Sequence, residues 1–280
     1  MVLRHKVFFS KRTSATRSAP EGHDHLKWVP TSSTLVYGEK DAVLVDTQLT
    51  IKAAKELTDW VVASGKNLVA VYVTHAHGDH HFGCSTVLDQ FPKAKVLATS
   101  EVAARMEKEH SPDRLQGLWG KLFPGQIPTK FASAEALEAD GFELEGEALL
   151  IVRLGHTDCD ETTALWVPSI RLLVAGDSVY GNTHPYMGES GSLDSRLEWL
   201  RALDKLAALK PVTVIGGHSD PDSSFGPEAI METRKYFEDF HQAVKESDTA
   251  EEVYSRLMAK YPTRLNPGSL WGGAVLAKKN

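Results

Sequence analysis

The 280-residue sequence predicts a layered α/β domain, for three reasons. Short apolar runs typical of strands alternate with segments whose apolar residues recur at helical spacing. The run from Leu68 to Val73 is almost continuously apolar, which is typical of a strand buried on both faces. The composition, with 42% hydrophobic and 24% charged residues, is that of a globular protein. It argues against a disordered, collagenous or coiled-coil chain.

The composition also excludes several classes of protein. No apolar run approaches the roughly 18 residues that a membrane helix needs, so no membrane partner is expected. The formal net charge of −6 argues against nucleic-acid binding, which usually requires a basic surface. The two cysteines, Cys84 and Cys159, are too few for a disulfide framework. Free thiols and a cytoplasmic location are therefore expected, and the oligomeric state is left open.

Residues 1–20 form a basic N-terminal segment without an acidic residue. That composition is also found in transit peptides, so organelle targeting is an alternative to the cytoplasm. The apolar cluster Val7-Phe8-Phe9 is too short for a secretory signal. We expect it to form a first strand, with a solvated basic tail after it.

In the first half of the chain, strands and helices alternate. Two β-rich runs flank the turn 38–41 and predict a hairpin. Residues 111–130 are expected to be irregular, because they contain Pro112, Pro124 and Pro128. The predicted elements are strands 33–37 and 42–45, a helix over 51–63, strands 68–73 and 96–99, and a helix that ends near residue 109.

The second half continues the pattern. Pro168 and Ser169 supply a turn between two strands, and leucines between residues 193 and 206 recur at helical spacing. The predicted elements are strands 149–154, 163–167 and 172–175, a helix over 193–209, a strand over 212–215, and helices over 226–246 and 249–260.

The strongest chemical signal is the run Thr-His-Ala-His-Gly-Asp-His-His-Phe-Gly at residues 74–83. It directly follows the predicted strand 68–73. Imidazole and carboxylate groups suit zinc and related divalent ions. On an extended turn His75 and His77 can converge on one ion, while Asp79 and His80 face a second. Four such groups in six residues favour a metal site over a solvated loop.

This run resembles the signature of the metallo-β-lactamase superfamily, and the resemblance extends over about residues 30–220. Four further markers follow the family order: Asp46 after a strand, Gly155-His156, Gly176-Asp177 and Gly217-His218. The resemblance implies a four-layer αββα sandwich with the metal site at one edge of two packed sheets. It implies one catalytic domain over residues 21–280, ending in helices.

The resemblance also implies a cofactor of two zinc ions, with iron or manganese as alternatives. The implied ligands are His75, His77 and His156 for the first ion, Asp79, His80 and His218 for the second, and Asp177 between them. Asp46 is expected to orient the ligand loop through hydrogen bonds, the alternative being a simple turn residue. His81 is expected to point away from the site.

In the implied mechanism a hydroxide between the ions attacks a carbonyl carbon, and Asp79 relays a proton to the leaving group. An aspartate at position 177 favours lactonases, thioester hydrolases and nuclease-like members over the antibiotic-cleaving enzymes. Tyr180 matches a tyrosine by which the resembling lactonases bind substrate, although packing at a strand end is an equal alternative. The run 155–160 departs from the usual motif, and Asp158 and Asp160 either support ligands or face solvent.

Two segments are candidates for the substrate pocket. His184, in the loop after Tyr180, is a possible substrate contact. The segment 115–131 carries Trp119 and Phe123 and forms either an apolar wall over the metals or a helix packed on the core. A wall would imply a small, partly apolar or aromatic substrate.

The leading hypothesis is a dinuclear zinc hydrolase that opens a lactone, with a lactam or cyclic carbamate next and detoxification as its role. One alternative is a mononuclear iron enzyme similar to persulfide dioxygenases. Others are a thioester or phosphodiester hydrolase of the same superfamily, and a binding protein without catalysis. Fold alone does not decide among them.

Overall fold

The computed structural model describes residues 2–12 and 27–279. In these residues eleven strands form two sheets, which pack face to face between two layers of helices. The predicted αββα sandwich is confirmed. The strands are β1 (Arg4–Phe9), β2 (Ser32–Tyr37), β3 (Asp41–Val45), β4 (Asn67–Tyr72), β5 (Lys95–Thr99), β6 (Glu135–Leu137), β7 (Gly141–Leu144), β8 (Glu147–Gly155), β9 (Thr162–Val167), β10 (Leu172–Gly181) and β11 (Thr213–Ser219).

The helices cover the outer faces of both sheets. The α-helices are α1 (Ile51–Ala63), α2 (Gly78–His81), α3 (Cys84–Gln90), α4 (Ser100–Glu109), α5 (Pro112–Arg114), α6 (Gly120–Leu122), α7 (Leu193–Ala208), α8 (Glu228–Glu246), α9 (Ala250–Lys260) and α10 (Pro267–Ala277). A π-helical turn (Leu115–Trp119) joins α5 to α6, and a 3₁₀ turn (Pro168–Ile170) joins β9 to β10. None of the described helices is long and apolar enough to cross a bilayer.

The first sheet has the strand order β1-β2-β3-β4-β5-β6, and the second has β11-β10-β9-β8-β7. The strands β3 and β4 are parallel, as are β10 and β11. The two strands of each pair therefore end at the same edge of their sheet. Apolar side chains of both sheets, including Val43, Tyr72 and Leu165, form the core between them. Burial of this apolar area is the main stabilising contribution to the sandwich.

Two further cores join the sheets to the helices. On the first sheet, Leu57 of α1 and Met106 of α4 pack with Val71 of β4. On the second sheet, Trp199 of α7 and Phe237 of α8 pack with buried residues of β10. The helix predicted over 51–63 has those bounds, and the Thr50 side chain caps it by accepting a hydrogen bond from Ala53 N at 3.2 Å.

Several elements differ from the sequence-based prediction. The segment 111–130 is partly helical, because Pro112 lies in the first turn of α5, where its missing N–H removes no hydrogen bond. The strand predicted over 172–175 continues to Gly181, because β10 goes on pairing with β11. β6, β7 and α10 were not predicted from the sequence. Val7–Phe9 belong to β1, whereas residues 13–20 of the basic tail after it lie outside the described residues.

Candidate metal centre

The polar centre of the molecule lies where both sheets end their parallel strands. Asp46 directly follows β3, and the loop after β4 leads into α2. Asp177 lies within β10 and His218 within β11. Gly217 allows β11 to lie close to the Asp177 side chain, because a Cβ at this position would collide with Asp177 Oδ1. The sheet edges thus bring together residues that are far apart in the sequence.

Two groups of side chains each present three donor atoms to a common point. The first group is His75, His77 and Asp158, and the second is Asp79, His80 and His218. Within each group the donor atoms lie within 4.8 Å of one another, and all six residues are buried. A third group among the described residues overlaps these and consists of Asp46, His75 and His80.

Asp177 stands next to the second group. Its Oδ1 lies 3.3 Å from His80 Nε2, and its Oδ2 lies 3.1 Å from His218 Nε2. Tyr180 Oη donates a hydrogen bond to Asp177 Oδ2 at 3.0 Å. Burial, followed by the charge of Asp177, raises the pKa of Tyr180 well above its ordinary value. The phenol therefore keeps its proton at neutral pH.

Each of the four histidines has one ring nitrogen in the centre and the other held by an oxygen atom outside it. The outer contacts are His75 Nδ1 with Thr74 Oγ1 at 3.0 Å, His77 Nε2 with Glu189 Oε1 at 2.9 Å, His80 Nδ1 with Asp46 Oδ2 at 3.0 Å, and His218 Nδ1 with the Pro30 carbonyl oxygen at 3.1 Å. Metal-binding histidines are typically oriented in this way.

The charges in the centre also fit a metal ion. Burial alone would raise the pKa of Asp79, Asp158 and Asp177, but the neighbouring histidines lower each below its ordinary value. Among the described residues, none of the three carboxylates forms an ion pair with a lysine or arginine. Buried carboxylates of this kind are usually paired or bind metal.

Four buried atoms in the centre make no well-aligned hydrogen bond, although they lie close to one another or to His77: His75 Nε2, His80 Nε2, Asp158 Oδ2 and Asp177 Oδ1. A buried polar atom without a partner costs about 1–3 kcal/mol, and a metal ion would satisfy all four. The residues therefore fit the metal centre that the motif predicted.

His156 differs from its expected place. The resemblance implies that His156 binds the first ion together with His75 and His77, but His156 belongs to neither donor group. Its Nδ1 lies 2.6 Å from Asp160 Oδ1, and its Nε2 lies 2.9 Å from Ser190 Oγ. Asp160 is exposed and paired with Arg105, whereas Asp158 is fully buried in the centre. Of the two aspartates that the sequence left undecided, one thus faces solvent and the other faces the histidines.

A cavity of about 210 Å³ opens onto the centre. Its polar end is formed by the donor residues and Tyr180. Its apolar walls come from the segment before β2, the 111–130 segment and the loop after β10. The residues along these walls include Trp28, Leu118, Trp119, Leu122 and Tyr186. Since ligand pockets commonly measure roughly 300–1,000 Å³, this one suits a small molecule.

Two of the expected substrate contacts lie elsewhere. His184 is buried with its Nδ1 2.9 Å from Tyr236 Oη, and it does not line the cavity. Burial, followed by the charge of Arg264, lowers its pKa to about 3. Phe123 packs behind the wall with its ring 5.1 Å from that of Trp28. Trp119 does line the cavity, so segment 115–131 is both wall and core packing.

Other residues of the centre were missed in the sequence. Glu189 and Tyr186 contact His77, but they lie in a loop whose path the sequence does not predict. Trp28 precedes β2 and carried no motif.

His81, next to a donor, is buried against Phe82 and His110 and belongs to neither group. Cys84 and Cys159 are free and buried.

Comparison with known proteins agrees with the fold and with the family that the motifs resemble. The family model of the metallo-beta-lactamase superfamily matches residues 26–218. Among curated proteins, the uncharacterized protein YobT of Bacillus subtilis (strain 168) is 28% identical over 136 residues, 46% of this chain and 54% of YobT. The matched part of the chain thus spans about half the length of that relative.

Solved structures of the same fold are also similar. The metallo-beta-lactamase family protein TTHA1429 from Thermus thermophilus has a TM-score of 0.61 at 18% identity, covering 95% of this chain and 91% of its own. A metallo-beta-lactamase from Pontibacter korlensis has a TM-score of 0.60 at 18% identity, covering 83% of this chain and 99% of its own. At such identities the likeness shows the fold alone.

Proposed function

Since the chain belongs to the metallo-beta-lactamase superfamily, we propose that it is a metal-dependent hydrolase that opens a small cyclic ester or cyclic amide. The observation that carries the proposal is the cavity of about 210 Å³, apolar along its walls and ending at the donor residues. A small ring with an apolar or aromatic body fits the walls, and its carbonyl group would reach the polar end. Apolar walls also exclude water and strengthen electrostatic interactions inside.

The side chains at the polar end have distinct roles in this proposal. Divalent ions bound there would provide hydroxide near neutral pH and polarise the substrate carbonyl group. Tyr180 keeps its proton and lines the cavity, so it can donate to the carbonyl oxygen as that atom gains negative charge. Asp79 is held as a carboxylate beside the same cavity, where it can accept a proton and pass it to the leaving group.

Within this class we propose a lactone as the preferred substrate and zinc as the metal. We propose detoxification of a small apolar compound as the role. Tyr180 suits either ring, because a neutral phenol donor stabilises the oxyanion formed from an ester as it does that from an amide, so the leaving group decides the order. The ester needs less help for its leaving group. The amide leaving group must be protonated, which makes greater demands on Asp79.

The experiment compares a lactone and a lactam built on one small aromatic scaffold. Zinc-loaded protein and chelated protein are incubated with each ring, and the open-chain acid is measured by chromatography. We expect opening of at least one ring, abolished by chelation and by Asp177→Asn. Equal hydrolysis with and without chelator, or no hydrolysis of either ring by the zinc-loaded protein, would count against the proposal.

A second candidate function has one observation in its favour. The group His75, His77 and Asp158 has two imidazoles and one carboxylate, a combination found in non-haem Fe(II) oxygenases. Iron-loaded protein is therefore tested for oxygen uptake with a small organic persulfide. Uptake that needs both iron and the persulfide, without ring hydrolysis, would favour this oxidation over the hydrolase.

A further inference from the structure

The carboxyl group of Asp158 faces the two histidines that begin the metal motif. Its Oδ2 lies 2.8 Å from His77 Nδ1 and 3.4 Å from His75 Nε2. Its other oxygen, Oδ1, accepts a hydrogen bond from Thr157 Oγ1 at 2.9 Å. The side chain is fully buried, and Oδ2 makes no well-aligned hydrogen bond. One oxygen thus fixes the carboxyl group and leaves the other aimed at the imidazoles.

The ring nitrogens of the neighbouring His156 both have partners outside the donor group. Its two ring nitrogens contact Asp160 and Ser190, and Ser190 Oγ itself donates to the Thr157 carbonyl oxygen at 2.6 Å. Gly155, with φ +78°, ends β8 in a left-handed conformation that turns the chain before His156. His156 therefore joins the turn to the loop that carries Glu189, the residue that holds His77.

From these contacts we propose that Asp158, and not His156, is the third protein ligand beside His75 and His77. The inference rests on the proposed function only in that the centre binds metal. The two positions then have matched donors, with two imidazoles and one terminal carboxylate in each. The second set consists of His80, His218 and Asp79, and Asp177 stands beside it.

The replacement of an imidazole by a carboxylate changes the charge of the first position by one unit. Three carboxylates then face two divalent ions, so the bound centre is less positive than one with three histidines at the first position. Oxygen donors also shift the preference towards manganese and iron relative to a site richer in imidazole.

The test measures metal content and the visible absorption of cobalt(II), and it does not depend on a substrate. Wild type, Asp158→Asn and His156→Gln are stripped of metal, loaded with cobalt(II) and freed of excess ion. Asparagine has the shape of aspartate and can still accept from Thr157. We expect about two cobalt ions per chain in wild type and in His156→Gln, and about one in Asp158→Asn, with the absorption of one position lost.

A further variant covers the case in which Asp158→Asn does not fold. Asp158→His places an imidazole in the same position, and we expect it to keep two cobalt ions with an altered absorption spectrum. Loss of cobalt from His156→Gln with full binding by Asp158→Asn would overturn the inference and return His156 to the ligand set. An unaltered spectrum in Asp158→His would also overturn it. If ring hydrolysis fails while cobalt content follows Asp158, the hydrolase proposal is wrong and this inference stands.

Discussion

Asp46 Oδ2 lies 3.0 Å from His80 Nδ1, so the residue directly after β3 orients a histidine in the helix that follows β4. The same carboxyl group accepts hydrogen bonds from Thr74 N at 2.8 Å and Thr74 Oγ1 at 2.7 Å. Asp46 has φ 58°, a left-handed conformation that aspartate tolerates better than most residues. Its backbone and its carboxylate are therefore both used to fix the start of the metal loop.

The first prediction concerns Asp46→Asn. Both carboxylate oxygens of Asp46 accept hydrogen bonds, whereas the amide of asparagine has only one acceptor oxygen. The variant therefore cannot keep all the contacts with Thr74 and His80. We expect metal affinity to fall by about 10–100-fold, as is usual when a group that orients a ligand is changed. Competition with a chelator measures the affinity.

Asp41→Asn, at the other end of β3, is the matched control. Asp41 accepts from Asn67 on the surface, away from the centre, so its replacement is expected to leave affinity unchanged. Equal affinity in Asp46→Asn and wild type would show that Asp46 serves only the turn.

The alternation of strands and helices predicted a layered α/β domain, and the resemblance carried by the His-rich run implied the sandwich and most of the side chains that the structure brings together. A buried strand followed by a His-rich turn is recognisable by itself, and α1 has clear helical spacing and a capping threonine. The choice between His156 and Asp158 depends instead on which way a loop turns, and that is decided by Ser190, more than thirty residues later. α10 escaped prediction because it is buried on several sides and has no polar face to give a period.

A second prediction concerns removal of the metal. A ligand that binds only the folded chain stabilises it by about 2.7 kcal/mol when its concentration is 100 times its dissociation constant. We expect chelation to lower the thermal unfolding midpoint by several degrees, and zinc to restore it. Calorimetry measures the midpoint. Magnesium at the same concentration is the control, because imidazole-rich sites bind it weakly. A midpoint insensitive to chelation would contradict a metal bound in the folded state.

A third prediction concerns the apolar wall. Trp119 lines the cavity, and its Nε1 donates to Glu109 Oε2 at 2.9 Å. Trp119→Leu removes part of the surface against which the substrate packs, so KM is expected to rise about tenfold, or about 1.4 kcal/mol, with kcat little changed. Trp60→Leu is the control, since Trp60 packs on Phe8 at 5.7 Å and does not line the cavity. The same KM in both variants would remove Trp119 from the binding surface.

A fourth prediction separates two roles of Tyr180. If its hydroxyl stabilises the carbonyl oxygen, Tyr180→Phe lowers kcat by roughly tenfold, about 1.4 kcal/mol of barrier, with metal content retained. If the hydroxyl only holds Asp177, metal affinity falls instead and kcat at saturating metal is preserved. Tyr72→Phe is the control, because Tyr72 Oη contacts Thr163 Oγ1 at 2.7 Å in the core between the sheets. Steady-state kinetics at several metal concentrations distinguish the outcomes.

The last prediction concerns acid stability and a carboxylate far from the metal centre. Asp239 of α8 is buried, and its carboxyl group contacts Lys235 Nζ at 2.6 Å, Lys260 Nζ at 2.7 Å and Tyr261 Oη at 2.6 Å. Burial alone would raise its pKa, but these contacts lower it from 3.8 to about 2. Because the pKa is lower in the folded state, the stabilisation is complete above the unfolded pKa and is lost as pH falls from about 4 to 2.

Asp239→Asn is therefore expected to be less stable than wild type at pH 6 by up to about 2 kcal/mol, with the difference shrinking towards pH 2. Urea unfolding of chelated protein at several pH values measures this without a contribution from metal release. Asp59→Asn, in an exposed pair with Lys55, is the control and is expected to change stability by less than about 1 kcal/mol. A stability difference for Asp239→Asn that stays constant from pH 6 to pH 2 would show that its charge does not hold α8 to α9.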